Sequence, residues 1–166
     1  MPEPEETVLT SKPVSASKII YGQLMEPPQA NVYGTVHGGE IMKLVDTAGG
    51  AAAIKHSGRI CVTASVDRMD FIAPVHVGDF LHIRASVNYV HRTSMEVGVR
   101  VDAEELVTGK NRHVASAYVI MVALDEAGRR VMVPSLIAES DDERRRMAQA
   151  AERYRLRQEL RMRAAR

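Results

Sequence analysis

Asp46 is the residue of this sequence best suited to chemistry, because it is one carboxylate in the middle of an apolar run. Residues 31–56 pass from a polar, glycine-marked turn into a segment that predicts a helix with apolar residues on nearly every side. An acid there is costly unless it is paired or used. A carboxylate in semi-apolar surroundings can act as a general base for water or as a nucleophile. The alternative is a structural Asp46 paired with a polar group on a neighbouring strand.

The turn and the start of this helix offer further polar groups. The Asn31 amide can polarise a substrate oxygen or orient a water molecule, or it can make only a local turn. Gly38 and Gly39 lie where a helix leaves its N–H groups free, and such groups suit an oxyanion. We therefore expect these two amides to form an oxyanion hole. His37 is either a supporting contact there or a structural histidine.

A long helix must position these groups. It is predicted to follow Gly38 and Gly39, with Glu40 in its first turn, and to end at a glycine-type stop near Gly58. Gly49 and Gly50 each cost about 1 kcal/mol of helix propensity. That cost is easier to understand if another backbone crosses closely there.

The rest of the body predicts extended chain. A first strand is expected from Ser17, in SKIIYGQLM, and four longer segments have the alternation or the turn boundaries of strands: 60–72, 80–91, 95–106 and 112–124. Short connections between them favour antiparallel neighbours. One helix covers only one face of so large a sheet, and this helix is too apolar for its outer side to stay in water. We therefore expect an obligate dimer or a larger assembly.

Composition limits the classes of function. The 166 residues are 45% hydrophobic and 26% charged, which suits one domain with a tail. A net charge of +1 argues against a strong general attraction to nucleic acid or anionic lipid. The single cysteine, Cys61, excludes an intrachain disulfide and a cysteine-rich zinc site. Without a signal peptide or membrane span, we expect a soluble cytoplasmic protein, with residues 1–16 forming a flexible N-terminal segment.

The last part of the chain, residues 139–166, predicts a separate charged helix. Ser140 is a suitable N-cap, and acidic residues fill the first turn. Nine arginines against five acidic residues from Ser140 onward make this helix basic. It either packs as a solvated helix on its own oligomer or contacts phosphate or a membrane.

Four segments together resemble a known family: ANVYGTVHGGEIMKLVD, VTASVDRMDFIAPVHVGD, HRTSMEV and VALDEAGRRVMVPSL. They resemble the hotdog-fold acyl-CoA thioesterases, in the branch with the brain-type acyl-CoA hydrolase and the bacterial broad-range enzymes. The resemblance covers about residues 17–136. It implies an α+β hotdog fold over residues 17–138, with a long central helix wrapped by a five-stranded antiparallel sheet. The family is dimeric at its site, and many members are hexamers built as trimers of dimers.

The resemblance also implies roles for the candidate residues. Asp46 would drive the attack of water on the thioester of an acyl-CoA substrate, and Asn31 would reach it from the partner protomer. The active site would then require two chains, with a homodimer as the minimal active unit. No metal and no redox cofactor is implied, since coenzyme A belongs to substrate and product.

Binding of coenzyme A is expected at two places. The turn formed by Arg92, Thr93 and Ser94 offers a cation and two hydroxyls to a phosphate or to the pantetheine arm. A second group follows a strand whose edge is expected to pair with the pantetheine amides: Asp70, Phe71 and Ile72. Phe71 either walls the acyl tunnel or belongs to the core. Exposed basic residues are weaker candidates: Arg59, Arg68, Lys110 and Arg112.

Two rival functions fit the same sequence. A hotdog hydratase or dehydratase acting on enoyl or 3-hydroxyacyl thioesters would need a histidine paired with an acid, and His37 with Asp46 could supply it. A non-catalytic acyl-CoA-binding regulatory module would bind the ligand without cleaving it and would use the basic tail to contact a partner.

Overall fold

The structure, a computed structural model, describes residues 10–164. Its helices are α1 (Gly38–Ser57) and α2 (Asp141–Ala164), with short 3-10 helices at Val14–Ser17 and Pro27–Gln29. The strands in chain order are β1 (Lys12–Pro13), β2 (Ile19–Leu24), β3 (Ile60–Phe71), β4 (Asp79–His91), β5 (Ser94–Glu105), β6 (Lys110–Leu124) and β7 (Leu136–Ile137). Five strands form an antiparallel sheet in the order β2-β4-β5-β6-β3. The predicted α+β architecture is confirmed.

Helix α1 packs against one face of the sheet; it begins at Gly38, two residues earlier than predicted, and its end is as predicted. It ends at Gly58, which takes a φ of 66° and donates its N–H to the carbonyl oxygen of Ile54 at 2.8 Å. A Cβ at Gly49 would lie 3.1 Å from Cε of Met121 and 3.5 Å from Cβ of Val119. The close neighbours at Gly49 are therefore β6 side chains and not the crossing backbone that we expected.

The core lies between α1 and the inward faces of the three central strands. Small and branched side chains fill it, as the shortage of aromatic residues requires. Its fully buried members include Val45, Ala48, Ala52, Leu81, Ile83, Val87, Val97, Val101 and Val119.

One side of α1 remains uncovered in the single chain. Met42, Asp46, Gly50 and Ile54, spaced four residues apart, follow one stripe of the helix, and Met42 and Ile54 are exposed. Beside them, the edge strand β3 exposes apolar residues: Ile60, Val62 and Val66. We call this stripe and these three β3 residues the open face. An apolar surface of this kind, next to an unprotected sheet edge, is typical of an interface.

Strand β3 does not keep the simple alternation expected over residues 60–72. Its register against β6 shifts between Thr63 and Ser65 and again between Val66 and Arg68. Each shift is a bulge that adds a residue to one strand and reverses which face the following residues occupy. The expected alternation is therefore wrong for this strand.

Residues 12–16, within the segment expected to be flexible, form β1 and most of the first 3-10 helix. β1 pairs in parallel with β7, and Val14 is buried. The Ser17 hydroxyl accepts a hydrogen bond from the Val87 N–H at 2.9 Å. These contacts hold the segment, and residues 1–9 lie outside the described part of the chain.

Helix α2 packs on the sheet face opposite α1. Its start is capped as predicted, because the Ser140 hydroxyl accepts from the Glu143 N–H at 3.2 Å. Further along, Arg153 pairs at 2.6 Å with Glu96, whose side chain is 1% exposed. Arg157 pairs at 2.8 Å with Asp67 of β3. The helix therefore packs on the sheet of its own chain.

His56 is a fully buried histidine in the last turn of α1. Its Nε2 donates to the carbonyl oxygen of Pro134 at 2.8 Å, and its Nδ1 has no partner within the described residues. Burial lowers the pKa of His56; the hydrogen bond to Pro134 opposes this shift, and the charge of Lys12 adds to it. The fold therefore favours the neutral imidazole.

Stability should consequently fall on acidification. With a lowered folded-state pKa, the unfolded chain binds a proton first, so stability is lost as the pH drops below about 6.5, the ordinary histidine value. His56→Gln keeps a donor for Pro134 and cannot be charged. Its Tm should therefore vary less with pH than that of the parent in thermal unfolding scans between about pH 7.5 and pH 5. His76→Gln, at an exposed histidine, should keep the parental slope, and an unchanged slope in His56→Gln would contradict the assignment.

Candidate active site

The Asp46 carboxylate is held by one hydrogen bond in the third turn of α1. The Thr63 hydroxyl of β3 donates to its Oδ1 at 2.5 Å. The other oxygen, Oδ2, has no hydrogen-bond donor in the part of the chain that the structure describes, and the residue is exposed on the open face. The expected alternative, pairing with a polar group on a strand, is thus present but uses only one oxygen. The second oxygen is available as a base.

Asn31 makes the local turn that was its alternative role. Its Oδ1 accepts from the N–H groups of Tyr33 at 2.9 Å and Thr35 at 3.2 Å, and its Nδ2 donates to the Thr35 hydroxyl at 2.9 Å. These bonds hold a loop in which Val32 and Tyr33 are almost fully exposed. The turn fixes the amide beside the start of α1.

The start of α1 provides one free amide and not two. The Gly39 N–H donates to His37 Nδ1 at 3.0 Å, so His37 is the N-cap and the Gly39 amide is occupied in the single chain. The Gly38 N–H has no acceptor among residues 10–164. A Cβ at Gly38 would lie 3.5 Å from Cζ of Phe71, so the missing side chain leaves room beside this ring.

Two surface hollows flank Gly38. The first, of about 440 Å³, is lined by Asn31, Tyr33 and His37 among others. The second, of about 290 Å³, is lined by Ile41, Phe71, Ile72 and their neighbours. Both lie at the positive end of the α1 dipole.

Asp46 and Gly38 lie at different points along the helix. Eight residues separate them, which is about 12 Å of helix axis. Within one chain the structure therefore does not bring Asp46 to Asn31 or Gly38. Nor does His37 pair with Asp46, so the histidine–acid pair of a hydratase is not formed within the chain.

The expected coenzyme A residues fall at two ends of the sheet. Ser94 is in register with Val122 of β6, whereas Phe71 is in register with Ala115, which separates the two groups by about 23 Å along the strand. Arg59, Arg92 and Thr93 lie at the Ser94 end, and Asp70, Ile72 and Lys110 lie at the Phe71 end. The expected residues do not form one cluster in a single chain.

The basic residues that were expected to bind coenzyme A differ in their local contacts. Arg92 takes a positive φ of 52°, uncommon for a non-glycine residue, and its side chain is exposed. Arg112 instead donates to the carbonyl oxygen of Pro74 at 3.1 Å and forms an ion pair with Asp79, which is a structural role. Arg68 forms an ion pair at 2.6 Å with Asp70.

The described part of the chain contains no favourable cysteine nucleophile, no group of metal ligands and no membrane-spanning helix. Burial raises the pKa of the Cys61 thiol, although a hydrogen bond from Ser57 opposes the shift, so Cys61 is a poor nucleophile. Among residues 10–164 no three histidine, cysteine or acidic residues are grouped to hold a metal ion. No helix in the same range has the length and hydrophobicity needed to cross a membrane.

Thr63 is a residue of the candidate site that sequence reasoning missed. It appeared only as one position of an alternating strand. Its contact with Asp46 depends on how β3 is placed against α1, which the sequence pattern does not specify. The only sequence signal for this contact was a hydroxyl-bearing residue on the strand that follows the helix.

Comparison with known proteins agrees with the family resemblance seen in the sequence. Residues 33–110 match the family model of the thioesterase superfamily. The human cytosolic acyl coenzyme A thioester hydrolase is 35% identical over 153 residues, which are 90% of this chain and 40% of that protein. This chain therefore spans less than half the length of the human relative.

Solved structures extend the similarity to the whole fold. A hexameric acyl-CoA thioesterase, determined in the apo form, is 36% identical with a TM-score of 0.88, over 90% of this chain and 96% of the other. An acyl-CoA hydrolase from Staphylococcus aureus, in complex with butyryl coenzyme A, coenzyme A and coenzyme A disulfide, is 33% identical with a TM-score of 0.86, over 93% and 94%. That enzyme has also been solved with an Asp, an Asn or a Thr replaced by Ala. The chain belongs to the thioesterase superfamily, among the hotdog-fold acyl-CoA thioester hydrolases.

Proposed function

We propose that this protein hydrolyses acyl-CoA to a free acid and coenzyme A, with Asp46 as the base that activates water. The observation that carries the proposal is the Asp46 carboxylate on the open face, held by Thr63 at 2.5 Å with its second oxygen available. The Asn, Asp and Thr mutated in the S. aureus enzyme are spaced along its chain as Asn31, Asp46 and Thr63 are spaced here. This match supports a shared site for the three residues.

The proposed site uses two chains. In one chain, Asp46 and Thr63 lie near the start of β3, whereas Gly38 lies beside Phe71 at its end. β3 is an edge strand, and antiparallel pairing with β3 of a second copy about a two-fold axis would put the start of one beside the end of the other. That pairing would bring Asp46 of one protomer to Asn31 and Gly38 of its partner, and would cover the open face.

The same two-fold axis would unite the two groups of coenzyme A residues. The Ser94 end of the sheet in one protomer would lie beside the Phe71 end in the other. Arg92, Thr93, Ser94 and Arg59 of one chain would then face Asp70, Phe71, Ile72 and Lys110 of its partner. The hexameric relative supports assembly of three such dimers, and the name of the human relative supports a cytoplasmic location.

The chemistry follows from these positions. Asp46 takes a proton from water, whose oxygen attacks the thioester carbonyl carbon. The negative charge that develops on the carbonyl oxygen is stabilised by the Gly38 amide at the positive end of α1, while the Asn31 amide polarises the carbonyl or orients the water. The C–S bond then breaks, and coenzyme A leaves as a thiolate that takes up the proton from Asp46.

The proposal is tested by measuring thiol release from a panel of acyl-CoA substrates of increasing chain length. We expect equal amounts of free thiol and free acid, with a rate unchanged by EDTA. In parallel, enoyl-CoA is followed by the ultraviolet absorbance of the conjugated thioester. Loss of that absorbance without thiol release would indicate a hydratase, and tight acyl-CoA binding with no thiol release over hours would indicate a binding module. Either result would overturn the proposal.

A further inference from the structure

The outer face of the sheet carries a cavity of about 390 Å³ beneath the first half of α2. It lies on the opposite side of the sheet from α1 and Asp46. No acidic residue is among those that line it. Six of its lining residues are basic: Lys18, Arg84, Arg100, Arg145, Arg146 and Arg153.

Two arginine pairs in this lining are only half neutralised. Arg84 and Arg100 share one carboxylate, Asp102. Burial raises the pKa of Asp102, but hydrogen bonds and charges from the two arginines outweigh it, so the pKa lies below its ordinary value and the group is ionised at neutral pH. Arg145 and Arg146 likewise share Asp142 on α2, at 2.5 and 2.7 Å. Each pair therefore keeps about one uncompensated positive charge.

The two remaining cations are balanced. Lys18 pairs with Glu143 at 3.0 Å. Arg153 pairs with Glu96 and stacks over the Tyr118 ring, with its guanidinium carbon 3.8 Å from the ring centroid. These contacts fix α2 on the body of the chain.

An unpartnered amide faces the same cavity. Asn88 is only 7% exposed, and its side chain makes no hydrogen bond within the described residues. It lies at a bulge in β4, where the register against β5 shifts between Val87 and Tyr89. A Cβ at Gly98 would come within 2.5 Å of Asn88 Nδ2, so the glycine makes the space that the amide occupies. Its amide is not among the buried polar atoms that lack a partner, so it keeps contact with solvent in the cavity and can hydrogen-bond a molecule bound there.

We propose that this cavity binds a small molecule with two linked phosphoryl groups, at a site separate from the thioesterase site. Each half-neutralised arginine pair offers the planar fork that suits one phosphoryl group. The Asn88 amide, together with hydroxyls of Ser86 and Ser116, supplies neutral hydrogen bonds. The volume is within the range of small-ligand sites and accommodates a nucleotide-sized molecule. The proposal does not rest on the hydrolytic activity.

The test measures binding of inorganic pyrophosphate, ADP and adenosine to the full chain by calorimetry. We expect pyrophosphate and ADP to bind once per chain with an affinity that falls with salt, and adenosine not to bind. Arg145→Gln/Arg146→Gln should weaken binding at least about tenfold, since it removes one arginine pair. Arg161→Gln/Arg163→Gln, which makes the same charge change in the exposed last turn of α2, should leave it unchanged.

A second variant tests the cavity itself. Asn88→Asp changes almost no volume but puts a negative charge beside the bound anion, and it should abolish binding while circular dichroism shows an intact fold. Failure of pyrophosphate and ADP to bind at millimolar concentration, or equal binding by both double variants, would overturn the proposal. Competitive inhibition of thiol release by pyrophosphate, lost in Arg145→Gln/Arg146→Gln, would also overturn it, because the cavity would then belong to the substrate site.

Discussion

Replacing Asp46 with asparagine is expected to lower the turnover number for thiol release by about 10²- to 10⁴-fold, the usual contribution of a general base. Asparagine has the same shape and its carbonyl oxygen can still accept the Thr63 hydrogen bond, so the local structure should persist. What is lost is the ability to take a proton from water. The measurement is the rate at saturating acyl-CoA, together with size-exclusion chromatography to verify that the assembly is unchanged.

Two further variants sharpen this result. Glu126→Gln makes the same carboxylate-to-amide change at an exposed turn and should retain the parental rate. Thr63→Val keeps the size of the side chain but removes its hydrogen bond, and should reduce the rate by about tenfold, as expected for one bond to a charged group. An Asp46→Asn variant that hydrolysed acyl-CoA at the parental rate would rule out the proposed mechanism.

The helices and strands could be predicted because their signals are local. The stop at Gly58 needs only a glycine that can take a positive φ, and the start of α2 needs only a Ser140 hydroxyl within reach of the next turn. The strand alternation of β4 up to Val87 likewise depends on nearest neighbours. Asp46 was found for a related reason, since a carboxylate in an apolar helix is anomalous in the sequence itself.

The parts of the site that could not be predicted depend on tertiary register. Thr63 lies 17 residues after Asp46 in the chain, and the hydrogen bond between them requires one particular placement of β3 against α1. The bulges in β3 add to the difficulty, because each one reverses the face of every later residue. The loss of the Gly39 amide to His37 is a side-chain conformation that no spacing rule specifies. Asn31 was assigned only through the family resemblance, since its local contacts alone describe a turn.

The two faces of the sheet are proposed to serve different ligands. The inner face holds α1, whose exposed stripe includes Asp46 and is proposed to pack against a second copy of the chain. The outer face holds α2 through ion pairs, including a pair to the buried Glu96. A charge buried in this way is costly unless its partner is present, so α2 is fixed more firmly than its polar sequence suggests.

Mixing two inactive variants is expected to restore activity if the site is shared between chains. Asn31→Ala and Asp46→Asn homodimers should each have little activity. When equal amounts are unfolded and refolded together, random pairing gives one intact site in each mixed dimer, so the rate should return to about a quarter of the parental value. The measurement is thiol release before and after joint refolding.

The double variant Asn31→Ala/Asp46→Asn, refolded with an equal amount of the parent chain, gives the complementary result. If the site spans two chains, each mixed dimer has both sites damaged, and only parental dimers contribute, which again gives about a quarter of the parental rate. If Asn31 and Asp46 act within one chain, the first mixture should stay inactive and the second should retain about half. The two mixtures therefore separate the arrangements by the ratio of their rates, and equal recovery in both is the outcome that a shared site requires.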